Sequence, residues 1–314
     1  MWQIIKQISP YAIAFAIPLL ITTLGALYSS KGGILNIALE GIMIIGSFIS
    51  GYCSYELTSI YGYVNAAWIG ICFSIIGGAL FSLLHAFASI NLNANQTISS
   101  MAINIAAPAL VWYVSRALTG SGMLIFSGLP RRDVPILNNI PLLGPILFKN
   151  SFNSTWLVLF IVLISYFIIN KTVFGLQLRS CGEHPEAAES AGINVKRIRY
   201  LGVLISGALA GMGGAIYTLT IAGMSNGSVA GLGFLALSSL IFGQYNVIGI
   251  CAANLFFGYA MTLGQVSQVI SGFSNINPMF FKIFPYVMTL IAFILFSKKS
   301  TAPRALGRYF EYKK

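Results

Sequence analysis

The chain has 314 residues, of which 57% are hydrophobic and only 8% charged, and its formal net charge is +11. Soluble domains carry about 25% charged residues, so a water-soluble enzyme or binding module is excluded, and no hydrophilic block is long enough to fold as a separate domain. The basic excess does not point to nucleic acid, because most of the Lys and Arg residues lie in two places, 171–199 and the tail after Phe296, the pattern of loops kept on the cytoplasmic side of a membrane.

A bilayer core about 30 Å thick needs roughly 20 apolar residues per helix. The runs 10–29, 34–54, 65–89, 97–115, 156–170, 200–222, 248–266 and 282–297 predict spans, and the shorter run 232–243 predicts another. The expected fold is all-α: a polytopic membrane protein with roughly eight to ten transmembrane helices in a single domain over 1–314. Lys6 is the only basic residue before the first run and no small-residue cleavage site is visible, so that run is expected to be retained as a span.

The second run, 34–54, contains Glu40. A carboxylate in a membrane costs about 2.5–3.5 kcal/mol on insertion scales, so Glu40 is expected to face a cavity or a partner rather than lipid. Gly32, Gly33 and Gly41 flank it and predict a broken helix, and non-helical backbone at that depth must line a cavity or be covered by protein. Two roles stay open for Glu40: a pathway or helix-anchoring residue, or a structural hydrogen bond to a neighbouring helix. In the third run, Gly77 and Gly78 read as helix-packing positions. Near and within the fourth run stand Asn95, Gln96 and Asn104, and later come Gln244, Asn246 and Asn254. An amide both donates and accepts, which suits a hydroxylated, nitrogenous solute; taken singly, each such residue more often binds helix to helix.

The segment 116–155 holds Pro130, Pro135, Pro141 and Pro145 with Arg131, Arg132 and Asp133. It is expected to be a structured external loop, a surface for an external partner, with Arg116 anchored at the outer interface. The basic residues Lys171, Arg179, Lys196, Arg197 and Arg199 place 171–199 in the cytoplasm, and Lys298, Lys299, Arg304, Arg308, Lys313 and Lys314 place the C-terminus there too. Within the first loop, Pro185–Ala191 predicts a short helix, with Pro in its first turn, acids at its start and Gly192 ending it. The five runs before Lys171 leave the N-terminus outside, and a sixth crossing is needed to bring it inside; both remain open.

No G-x-x-x-x-G-K-[ST] pattern occurs, so the chain carries no phosphate-binding P-loop. Cys53, Cys72, Cys181 and Cys251 form no C-x-x-C pair, and His85 and His184 have no metal-spaced companions; no metal site and no catalytic cluster is expected. No repeat of two halves is visible.

The stretch 172–215, TVFGLQLRSCGEHPEAAESAGINVKRIRYLGVLISGALAGMGGA, resembles the cytoplasmic coupling region of ABC transporter permeases in the branched-chain amino acid, ribose and nucleoside group. The resemblance runs through Gly175, Arg179, Gly182, Glu183, Pro185, Ala187, Ala188, Ala191, Gly192, Ile193 and Val195, then Ser206–Gly211, Gly214 and Ala215. Cys181 and His184 stand where such patterns often have Ala and Asn. The stretch GGILNIALEGIMIIGSF at 32–48, with Asn36 and Glu40, looks most like the nucleoside-type permeases, as do ANQTISSMAINIAA at 94–107 and PLLGPILF at 141–148.

The resemblance implies the permease subunit of an ABC importer, most similar to those for nucleosides, with ribose, other simple sugars or branched-chain amino acids as the alternative solutes. It implies coupling residues at Arg179, Gly182, Glu183, Pro185, Ala187, Ala188 and Gly192, and a pathway near Asn36, Glu40, Asn95, Gln96 and Asn104. It also implies a separate ATPase subunit holding ATP and Mg²⁺, a second related permease subunit, an extracytoplasmic solute-binding lipoprotein, and a place in the cell membrane among lipid. A secondary transporter and an integral-membrane enzyme are the rival readings; two His and seven acids leave little for the second.

Overall fold

The computed structural model describes residues 2–135, 138, 144–266, 279–280, 283–284, 287–288, 290–291, 294 and 301–310. Most of the expected span 282–297, Pro141, and Lys298, Lys299, Lys313 and Lys314 lie outside them. The helices are α1 (Trp2–Lys31), α2 (Leu39–Tyr61), α3 (Tyr63–Ala86, prolonged by a π turn over Phe87–Asn91), α4 (Gln96–Thr119) and α5 (Asn153–Lys171). Then follow α6 (Val173–Glu183), α7 (Pro185–Ser190), α8 (Val195–Tyr217, prolonged by a π turn over Thr218–Ala222), α9 (Leu232–Phe242) and α10 (Val247–Val266). The only sheet among the described residues pairs β1 (Leu124–Ile125) antiparallel with β2 (Met224–Ser225). Six of the helices are long and apolar enough to cross a membrane: those of Ile8–Lys31, Tyr63–Asn91, Gln96–Thr119, Asn153–Lys171, Val195–Ala222 and Val247–Gln265. The protein is an all-α, multi-pass membrane fold.

The glycine-rich α8 is its axis. A Cβ on Gly214 would stand 1.9 Å from the Met43 carbonyl oxygen of α2, and one on Gly46 would stand 2.1 Å from that of Gly211, so backbone meets backbone where the sequence has no side chain. Apolar burial gives no net drive between helices in lipid, so this closeness of packing is what holds them. Thr218 extends the seam by donating from Oγ1 to Ser47 Oγ at 2.6 Å.

Contacts along α8 set the direction of its neighbours. Gly25 lies against Ser206 and Gly213 against Pro18 and Thr22, so α1 is antiparallel to α8. Gly211 lies against Ser74 and Gly207 against Ser82, so α3 is antiparallel too. Asn36 bonds Ser206 and Ser47 bonds Thr218, so the second crossing runs with α8. The turns after α1, after α3 and after α9, the loop 171–199 and the segment 301–310 therefore gather at one end: Tyr200 reaches Asn91, the Ala305 amide reaches the Gly182 carbonyl, and Thr301 reaches the Gln244 carbonyl. We call this the basic end, for Lys31, Lys171, Arg179, Lys196, Arg197 and Arg304. The N-terminus of α1 and the stretches 120–135 and 144–152 lie at the far end, where Arg131 is sandwiched between Tyr11 and Phe152, 4.2 and 4.9 Å from the ring centres.

Two crossings are not continuous helices. Among the described residues, the chain is non-helical over 32–38 between α1 and α2, and irregular over 226–231 between β2 and α9. The first is the break expected around Gly32 and Gly33. The second was not expected. The two run in opposite directions and each begins its helix inside the membrane, so the chain has a pair of inverted broken crossings although no repeat is visible in its sequence.

Candidate functional site

The two breaks converge on Glu40, in the first turn of α2. The side chain is only 8% exposed. Its carboxylate accepts from the backbone amides of Gly231 at 3.0 Å and Gly233 at 2.7 Å. These belong to the start of α9, whose unpaired amides carry the positive end of the helix dipole. Glu40 is thus the cap of another helix: an acid held by backbone donors needs no basic partner. Its depth follows from its neighbours, since Asn36 is level with Ser206 and Met43 with Gly214, which brackets Glu40 near the middle of the crossing Val195–Ala222.

The other residues singled out from the sequence gather around the same break. Asn36 is buried; its Nδ2 donates to Ser206 Oγ at 3.0 Å and its Oδ1 accepts from the Ala38 amide. Gln96 Oε1 accepts from the Leu35 amide at 2.7 Å, and Ser100 Oγ from the Ile37 amide at 3.2 Å. Asn104 Oδ1 accepts from the Gly41 amide at 2.8 Å while its Nδ2 donates to the Ile37 carbonyl at 3.0 Å. Gln96, Ser100 and Asn104 recur every four residues and so share one face of α4. That face replaces the hydrogen bonds that 35–41 would make as a helix. Asn95 stands apart, capping α4 through the Thr97 and Ile98 amides.

At the basic end the expected short helix is present as α7, with Pro185 at its first position, and Gly192 beyond it has φ +81°. Arg179 Nε donates to the Gly175 carbonyl within α6. Gly182 lies so close to α1 that a Cβ there would stand 2.2 Å from the Lys31 carbonyl oxygen. Glu183 accepts from the Arg304 amide at 3.4 Å. The two alanines divide: Ala187 is exposed, while Ala188 is 4% exposed and part of the chain's own core. Burial pushes the neighbouring Cys181 thiol up, with the Arg199 guanidinium acting weakly against it. Among the described residues no cluster of His, Cys, Asp or Glu could hold a metal ion, and all four cysteines are free.

Comparison with known proteins is decisive about the family. A profile described as the permease component of the branched-chain amino acid transport system matches residues 10–293. The chain belongs to this permease family. Among its relatives is the guanosine ABC transporter permease protein NupQ of Bacillus subtilis (strain 168), 38% identical over 308 residues, 97% of this chain and 96% of that one. The nucleoside ABC transporter permease protein NupC of Lactococcus lactis is 39% identical over 297 residues, 94% and 93% of the two chains. A second permease protein of that same Lactococcus strain, NupB, is 22% identical over 251 residues, 78% of this chain and 69% of that one.

Two functional features of this permease escaped the sequence reading. Arg199 was read only as one of a group of cytoplasmic charges, yet it is 2% exposed: Nε donates to the Gly32 carbonyl at 3.2 Å and the guanidinium stacks on Phe310 at 5.4 Å. The only available signal was its place in the first turns of a span. The other is the α9 start, where Gly231 and Gly233 flank Leu232; two glycines before an apolar run are a recognisable mark of a close backbone approach.

Proposed function

We propose that the chain is one permease subunit of an ABC importer that carries nucleosides, with its basic end in the cytoplasm. The observation that carries the solute class is the near full-length similarity to NupQ and NupC. The orientation rests on the basic residues at one end. The chain itself breaks no covalent bond. A separate ATPase subunit binds ATP and Mg²⁺ and docks on the loop 171–199, where α7 displays Glu186, Ala187 and Ser190 outward. A second, related permease subunit completes the pathway; the coexistence of NupB and NupC in one strain supports a heteromeric pair. An extracytoplasmic solute-binding lipoprotein delivers the solute to the far end, where β1 and β2 hold the loop 120–135 against 223–226.

The coupling runs from Gly182 to Lys31 and Gly33, then along the bracketed segment 35–41 to Glu40. A movement of the loop at the basic end thereby reaches the middle of the membrane through backbone contacts. Uptake of labelled guanosine, uridine, ribose and leucine by the reconstituted complex tests the reading. Nucleoside uptake that needs ATP is the expected result. Ribose or leucine uptake without nucleoside uptake overturns the solute class. The paired broken crossings also occur in secondary transporters, so uptake driven by an ion gradient in the absence of ATP overturns the importer class.

A further inference from the structure

The two non-helical segments solve the same physical problem differently, and the difference locates the solute. Irregular backbone inside a membrane is tolerated only when protein buries it or when it lines a water-filled cavity. The segment 32–38 takes the first course. Gly33, Ile34 and Asn36 are buried, and the amides of Leu35, Ile37 and Ala38 all find side-chain acceptors.

The segment 226–230 does not. Asn226, Ser228 and Ala230 are exposed, and only Val229 turns inward. The Ser228 amide donates to Asn226 Oδ1 and the Ala230 amide to Ser228 Oγ, each at 3.2 Å. These bonds use the acceptors and leave the Asn226 NH₂ and the Ser228 hydroxyl hydrogen as outward donors. The depth of the segment is fixed independently at three points. Ser225 is level with Ser47 and Gly51, Gly227 lies against Pro108 in the middle of α4, and Gly231 binds Glu40. From Ser47 to Glu40 is about 10 Å of helix. A polar, exposed stretch descends that far into the membrane with none of the described residues covering it.

We propose that Asn226, Ser228 and Ala230 form a water-lined wall of the solute path and that the donors of Asn226 and Ser228 contact the acceptor atoms of a nucleoside. This rests on the importer reading above. The test uses the complete reconstituted importer with Cys53, Cys72 and Cys251 replaced by serine and the buried Cys181 retained. Single cysteines are placed by Asn226→Cys, Ser228→Cys and Ala230→Cys, with Ser121→Cys in the far-end loop as the reactive reference. Leu163→Cys, exposed on the apolar face of α5, is the lipid reference. The probe is a charged, membrane-impermeant methanethiosulfonate.

Water around the segment predicts reaction at Ser228→Cys and Ala230→Cys within about tenfold of the Ser121→Cys rate, because the thiolate needs water to form and the probe needs water to arrive. Saturating guanosine slows it. Reaction no faster than at Leu163→Cys, in a complex that still imports nucleosides, overturns the wall and leaves the importer reading standing. Water-phase reaction that guanosine leaves unchanged overturns the solute contact. If ribose or leucine slows the reaction and guanosine is not transported, the wall stands and the proposed solute class is what fails.

Discussion

At the scale of single residues the joint is Glu40. Hydrogen bonds to a charged group contribute about 1.5–3 kcal/mol each and leave a buried donor unsatisfied when removed. Glu40→Ala is therefore expected to lower nucleoside uptake at least about tenfold and to lower the melting temperature of the purified complex. Glu40→Gln keeps one acceptor oxygen and turns the other position into a donor facing donors, so its uptake and melting temperature should fall between alanine and wild type. Equal values for both variants and wild type would show that the α9 start does not depend on this carboxylate. Gly214→Ala tests the backbone seam. Its Cβ has no room beside the Met43 carbonyl, and overpacking costs about 1–3 kcal/mol; the expected outcome is a smaller monodisperse fraction after detergent extraction. Glu40 was visible in the sequence as an acid in an apolar run, but its partners were not. They lie 191 and 193 residues away, and no local pattern encodes a contact of that separation. Asn95 was the reverse case: it was read as a pathway residue, although an Asn before a helical run is a local N-cap signal, and its bond to the Thr97 amide is what that signal describes.

At the scale of elements, α7 was legible because Pro185, the acids and Gly192 are local start and stop marks. Which of its alanines faces out was not, because that depends on what the loop folds against. Bulk at Ala188 meets the chain's own core, so Ala188→Trp should reduce the amount of protein in the membrane, whereas Ala187→Trp should leave that amount normal and abolish ATP-driven uptake. Quantitative blotting beside the transport assay separates the two. The helix α6 was read as loop, because its 11 residues follow α5 with only Thr172 between, and a polar stretch beside a span looks like a connection. The segment 301–310 is a third case. It crosses the basic end by backbone contacts, Ala305 to Gly182 and Gly307 to Gly33, and backbone contacts leave no mark on side-chain pattern. Removing residues 301–314 is expected to weaken the tie between the α6 end and the α1–α2 break, seen as faster proteolysis at Gly182–Gly192.

At the scale of the whole molecule, the helical class and the positions of six long spans among the described residues were legible, because apolar length is a direct physical requirement of the bilayer. The question the sequence left open was the side of the N-terminus. Lys31 and Gly33 sit beside Gly182, so α1 ends at the basic end and begins at the far end. Five crossings then precede Lys171, with 32–61 as one of them. A reporter active only outside the cytoplasm, fused to the N-terminus, should give signal, and one active only inside should give signal on the C-terminus. Matching sides for both termini would contradict this arrangement.

The capping of α9 from a distance also constrains how the chain is made. An 11-residue helix is about 16 Å long, roughly half of the hydrocarbon thickness, so 223–246 cannot settle in the bilayer as an independent unit during synthesis. It must wait for a scaffold, and the scaffold is upstream: α2 with Glu40, already braced by α4, leaves the ribosome nearly two hundred residues earlier. The order of elements along the polypeptide is thus an assembly order, in which the acceptor is built and buried before the donors emerge.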